Sequence, residues 1–182
     1  MRIFRSAKPL YLLLLLVFIP SKAFAVDPVV QRQAELLFHA LFMVDWPNSK
    51  APQLNLCALT SSSESVAHVL ASKYGLSSKR QPIHVHFSNS IKEALNYDRE
   101  FGCDIYYLDP IFSTFNFGTI TEMSYSRAIL TLGHGTLFIE KGGMLSLIGE
   151  QKRDSHLQSS TQFRRARLLK VDERLIARAK KF

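Results

Sequence analysis

The chain has 182 residues, 47% of them hydrophobic, and a formal net charge of +8. That is enough length for one domain with a real core. Beyond residue 25 no apolar run approaches the ~20 residues that cross a bilayer.

The first 25 residues have the three parts of a secretory signal peptide. Arg2, Arg5 and Lys8 precede an unbroken apolar run from Leu10 to Ile19, Pro20 breaks it, and Ala23-Phe24-Ala25 places small residues where a signal peptidase reads. The expected organisation is therefore a cleaved signal over 1–25 and one exported domain over 26–182, periplasmic in a Gram-negative cell. The exported part keeps 19 basic and 15 acidic residues, a net +4. Residues 151–182 hold ten basic and three acidic residues, against nine and twelve over 26–150. The basic character thus belongs to the C-terminal tail. Export argues against nucleic acid as its partner and leaves an anionic membrane surface or an acidic protein face.

The first helix of the domain runs into Phe38–Ser49, FHALFMVDWPNS, and stops at Pro47. At 100° per residue Leu37, Leu41 and Val44 form one core stripe. Phe38, Phe42, Met43 and Trp46 crowd instead around the polar stripe of Arg32, Glu35 and His39. An aromatic and methionine set rimmed by charge has the composition of an interface core. We read these four residues as a docking surface, with Asp45 beside Trp46 resisting burial. The basic residues Arg164, Arg165, Arg167 and Arg178 would steer that surface to an acidic partner. The opposing expectation is that the C-terminal helix covers the set within the monomer through Leu175, Ala179 and Phe182.

Asn55–Thr60 reads as a buried strand, followed by a helix capped at Ser62 or Ser63 and ending at Gly75. Pro82–Ser88 alternates as a strand, with Ile83, Val85 and Phe87 on one side and His84 and His86 on the other. Ser90–Gly102 is a helix with a clear cap and a glycine stop, Cys103–Asp109 a third strand, Phe117–Tyr125 a weaker helix and Ala128–Gly133 a fourth strand. Met144–Lys152 and Ser155–Gln162 read as a hairpin turning at Arg153-Asp154. Phe163–Leu169 and Asp172–Lys181 close the chain as an amphipathic segment. Strands alternating with helices predict a single α/β domain whose sheet is mainly parallel, with an antiparallel C-terminal hairpin. Cys57 and Cys103, the two cysteines of an exported chain, are expected to form a disulfide. It would close a loop of about 46 residues and stabilise by roughly 4 kcal/mol in the chain-entropy model.

Signals for catalysis are weak throughout. There is no C-x-x-C pair for redox chemistry and no G-x-S-x-G elbow. His84 and His86 lack a third metal ligand at a recognisable spacing. Gly133-His134-Gly135 and Gly142-Gly143 read as turns needing positive φ, not as phosphate loops. We expect no enzyme, no catalytic residues, no metal and no cofactor.

Taken in order, the landmarks resemble the YfiR/HmsC-like periplasmic proteins. The resemblance rests on Met43-Val44-Asp45-Trp46-Pro47, on LNLCALT with its central cysteine and on CDIYYLD opening with the second. It continues through AILTLG and Gly142-Gly143-Met144-Leu145 to the closing RRARLLKVDERLIARAKK. The chain departs from the family pattern at HLQSSTQ. The resemblance implies a non-enzymatic negative regulator that binds the periplasmic region of an inner-membrane diguanylate cyclase. It would thereby lower cyclic di-GMP and restrain biofilm and exopolysaccharide. A further partner it implies is an outer-membrane lipoprotein that relieves the inhibition; a second copy of the chain, as a homodimer, is a separate expectation. The alternative is a periplasmic small-ligand receptor serving a membrane sensor such as a kinase, because a parallel sheet leaves a crevice beyond its strand ends.

Overall fold

The structure, a computed structural model, describes residues 26–47, 50–73, 75–79, 81–115, 117–164 and 168–181. Helix α1 (Pro28–Phe42) begins where Asp27 accepts a hydrogen bond from Val29 N at 2.7 Å and Pro28 supplies a helix-ready φ. It buries Leu37 and Leu41, and Val44 just beyond it is buried too, as the core stripe requires. The chain then passes through β1 (Val44–Asp45), β2 (Leu54–Leu59), α2 (Val66–Lys73), β3 (Ile83–Ser88), α3 (Ile91–Phe101) and β4 (Ile105–Leu108). Next come α4 (Pro110–Thr114), α5 (Gly118–Ser126), β5 (Leu130–His134), α6 (Gly135–Glu140), β6 (Leu145–Ile148) and β7 (His156–Ser159). The tail forms α7 (Thr161–Arg164), β8 (Lys170–Val171), α8 (Glu173–Arg178) and β9 (Lys180–Lys181).

The main sheet has the order β3-β2-β4-β5-β6-β7-β9. Its strands from β3 to β6 are parallel, β7 turns back antiparallel on β6, and β9 lies parallel to β7. The sheet is α/β, mainly parallel and closed by a C-terminal hairpin, as the pattern predicts. Winding reverses between β2 and β4, the arrangement of doubly wound sheets. Both faces are covered, which explains the continuous apolar runs of the strands. Leu56, Ala58, Ile105, Tyr107, Leu130 and Leu132 pack with α1 and α2 on one face. Cys57, Leu59, Tyr106 and Leu108 pack on the other with Ala94 of α3, Ile120 of α5 and Phe138 of α6.

Cys57 and Cys103 are joined, with Cα atoms 5.9 Å apart, inside the usual range for a bridge. Cys103 N donates to Asp98 Oδ1 at 2.5 Å, and Arg127 grips the same carboxylate at 2.8 and 3.0 Å. The end of α3, the disulfide and the entry to β5 are thereby tied at one point.

Several expected elements differ. The helix cap expected at Ser62 or Ser63 falls to Ser65, whose Oγ accepts from His68 N at 3.4 Å. Of the two glycine turns expected, Gly133-His134-Gly135 spans the end of β5 and the first residue of helix α6 (Gly135–Glu140), and Gly142-Gly143 lies between α6 and β6. Gly135 and Gly142 do take positive φ, but Gly133 and Gly143 do not. A Cβ on either of the latter would strike the ring of buried Phe138, so close approach is what excludes a side chain there. The hairpin turn is longer than Arg153-Asp154, spanning 149–155 between shorter strands. The tail is not one amphipathic helix: β8 pairs with β1 and β9 joins the main sheet.

Candidate functional site

The polar face of α1 looks onto a concavity bounded by β7 and α8. Arg32 pairs with Glu35 at 3.3 Å, one turn short of His39. Gln33 Nε2 donates to Gly149 O at 3.2 Å and ties the helix to the β6–β7 turn. On the opposite wall, Asp172 N donates to Met43 O at 2.9 Å, so the tail is clipped to the end of α1. Asp172 also caps α8, accepting from Arg174 N at 2.9 Å, and its carboxylate is gripped by the Arg174 guanidinium at 2.8 and 3.1 Å. Those bonds hold the Asp172 carboxyl well below the usual carboxylate range.

Between these walls lies a groove of about 400 Å³. Leu36, Ala40, Met43, Leu157 and Leu175 form its apolar lining, and Arg32, His39, His156 and Arg178 its polar rim. A second depression of about 490 Å³ adjoins it at Arg32 and Ser155 and adds Lys152 and Arg153. Among the described residues the one acid lining either depression is Glu35, already paired with Arg32. An apolar trough whose rim carries Arg178 beside the Arg32–Glu35 pair, with Lys152 and Arg153 in the adjoining depression, suits a ligand that carries negative charge around an apolar anchor.

The structure divides the expected docking residues. Met43 and Arg178 meet in the groove. Phe42 is 51% exposed. Phe38 is half-buried against the core, edge-on to His39 at 5.6 Å. Trp46 is a correction: it is 3% exposed, belongs to the main core, and its Nε1 donates to Ala128 O at 2.6 Å. Asp45 is a second correction, being buried in β1 opposite Lys170 of β8. The tail thus covers part of the set, with Leu175 and Ala179 in the same core cluster as Trp46. Arg165, Arg167 and Phe182 lie outside the described residues, as does the side chain of Arg164. Leu36, Ser155, His156 and Leu157 were not singled out by sequence. No sequence spacing links α1 to the hairpin; only the polar stripe of Arg32, Glu35 and His39 marked this face. His84 is exposed and His86 stacks on Tyr97 at 3.7 Å between centroids. No metal-binding group occurs among the described residues.

Comparison with protein families matches residues 30–180 to the family described as YfiR/HmsC-like. The chain belongs to the YfiR/HmsC-like family. These proteins are periplasmic regulators in cyclic di-GMP signalling and are not known as enzymes. Comparison with curated proteins finds no match. Among solved structures, this YfiR/HmsC-like chain is similar to the ABC domain in complex with L-Trp from Streptococcus pneumonia (16% identity, TM-score 0.52). It is also similar to a conserved domain protein from Vibrio cholerae O1 biovar El Tor (14% identity, TM-score 0.51). Each alignment covers 84% of this chain, which spans about 60% of the length of those two chains, so the likeness is one of fold. No helix among the described residues is long and apolar enough to cross a membrane.

Proposed function

We propose that the protein is an exported negative regulator that binds the periplasmic region of an inner-membrane diguanylate cyclase and lowers cyclic di-GMP. Family membership over residues 30–180 carries this reading. The groove between α1, β7 and α8 is the docking surface, taking an acidic segment with an apolar side chain seated on Met43, Leu157 and Leu175. Phe42, exposed beside His39, and the arginines Arg164, Arg165, Arg167 and Arg178 extend the contact. An outer-membrane lipoprotein that competes for this surface would relieve the inhibition, and a second copy of the chain would pair with the first as a homodimer. Cleavage after Ala25 releases the domain, so the mature mass should begin at Val26.

Deleting the gene should raise cyclic di-GMP, and the wild type should restore the low level. The double variant Arg32→Glu, Arg178→Glu should fail to restore it while melting near the wild type, since exposed charge changes cost little stability. An unchanged nucleotide level in the deletion, with the cyclase expressed, would refute the reading. A second reading, a receptor for a small ligand, is favoured by the groove's size, which falls in the range of small-molecule pockets. A melting temperature raised by a small anionic compound, with no binding to the cyclase segment, would select it.

A further inference from the structure

Beyond the carboxyl ends of β2, β4 and β5, away from the groove, four polar side chains meet. Thr60 follows β2, Tyr107 lies in β4, Asp109 follows β4 and His134 ends β5. Thr60, Tyr107 and Asp109 are buried, and His134 is half-buried. β2 and β4 flank the reversal in winding, where open α/β sheets leave a crevice. The contacts run as a chain. Thr60 Oγ1 lies 3.0 Å from Ser62 O and accepts from Ser62 N at 3.1 Å. The same oxygen bonds Asp109 Oδ2. The Tyr107 hydroxyl lies 2.7 Å from Asp109 Oδ1 and 2.7 Å from His134 Nε2.

Counting hydrogens decides the state of this chain. The four links from Ser62 O through Thr60, Asp109 and Tyr107 to His134 need one hydrogen each. Thr60 and Tyr107 own one apiece, and neutral His134 in its Nε2–H tautomer supplies a third. The fourth has Asp109 as its only source. With the carboxyl protonated, His134 donates to Tyr107, Tyr107 to Asp109 Oδ1, Asp109 Oδ2 to Thr60, and Thr60 to Ser62 O. With the carboxylate, Thr60 must turn its hydrogen to Asp109, and Ser62 O loses that donor.

The surroundings favour the protonated form. Asp109 occupies the N-cap position of α4 but makes no capping bond, and it forms no salt bridge among the described residues. Burial pushes its carboxyl up, against the hydrogen bonds with Thr60 and Tyr107 that draw it down. Burial also brings His134 down to about 4, so it faces Asp109 through Tyr107 as a neutral ring. His68 of α2, with Nδ1 2.9 Å from Ser65 Oγ, opposes this when charged, since its field lowers the Asp109 carboxyl. From α4, Ser113 faces the cluster as a neutral hydroxyl that accepts from His134 N at 3.0 Å and donates to Leu108 O at 2.9 Å.

We propose that Asp109 is a proton-operated latch on the 60–65 loop. Protonated, it leaves the Thr60 hydroxyl free to hold both backbone groups of Ser62. Ionised, it takes that hydroxyl's hydrogen for itself, leaves the Ser62 carbonyl with only the 3.4 Å bond from Ser65 N, and loosens the loop bordering the β2–β4 crevice. A protein outside the cytoplasm meets the pH of its surroundings, so the latch would couple that pH to the rim of the sheet.

The test is amide hydrogen exchange on the full exported chain across pH 4 to 8, expressed as protection factors, beside a carbon-13 titration of the Asp109 carboxyl. In the wild type, protection at Ser62 and Ser65 should fall about fivefold, the scale of one net hydrogen bond, with the same midpoint as the carboxyl. Asp109→Asn keeps a donor toward Thr60 and an acceptor for Tyr107, so its protection should stay constant. A carboxyl ionised throughout the range, wild-type protection without a step, or the same step in Asp109→Asn would overturn the latch. The last outcome would assign the step to His68. If Asp109→Asn does not fold, coincidence of the two wild-type midpoints supports the latch and their separation refutes it.

Discussion

Trp46 and Phe42 sit four residues apart yet belong to different parts of the molecule. Trp46 fills the core and satisfies Ala128 O at 2.6 Å, so Trp46→Phe should orphan that carbonyl and cost about 1–3 kcal/mol in urea denaturation. Phe42, 51% exposed, should accept Ala within about 0.5 kcal/mol while weakening cyclase repression. The pair separates folding from docking by two measurements on two variants. His134 makes a prediction about pH. Its folded value of about 4 lies below the ordinary ~6.5 of an unfolded histidine. The folded state therefore binds fewer protons, and the histidine's contribution is present above pH ~6.5 and lost as pH falls through about 4. The loss approaches 3 kcal/mol on an order-of-magnitude scale. The raised Asp109 carboxyl acts oppositely, losing stability as pH rises from its unfolded toward its folded value. Urea midpoints of the wild type and His134→Gln between pH 7 and 4 should diverge, with the variant falling less.

At the scale of elements, α6 depends on two glycines that flank it. Gly133 in β5 and Gly143 before β6 both lie against the Phe138 ring, which also stacks on Phe117 at 4.9 Å. Gly143→Ala should overpack this contact and cost about 1–3 kcal/mol or more. Gly75→Ala meets nothing within 4 Å and should be neutral or stabilise by up to about 1 kcal/mol. Comparing the two by denaturation distinguishes close approach from loop freedom. The disulfide joins the middle of β2 to the segment just before β4. Replacing both cysteines with Ala should remove roughly 4 kcal/mol in the chain-entropy model, read as a lower Tm that the reduced wild type shares.

At the scale of the whole molecule, the tail closes the structure twice, once on β1 and once on β7. Ending the chain at Leu169 would strip Leu175 and Ala179 from the core cluster that holds Trp46. Such a protein should lose cooperative unfolding along with one wall of the groove, as seen by calorimetry.

The sequence by itself determined the α/β class, the mainly parallel character of the sheet, the disulfide partners and the core stripe of α1. Each follows from periodicity over a few neighbouring residues or from the presence of just two cysteines. Only the tertiary structure decided that Trp46 and Asp45 are interior, that the tail breaks into β8, α8 and β9, and that Arg32 and Arg178 share one groove. It also decided the hydrogen-bonded chain from Thr60 to His134. Strand pairing and side-chain burial join residues far apart in the chain, and local pattern carries no record of which distant backbone supplies the partner.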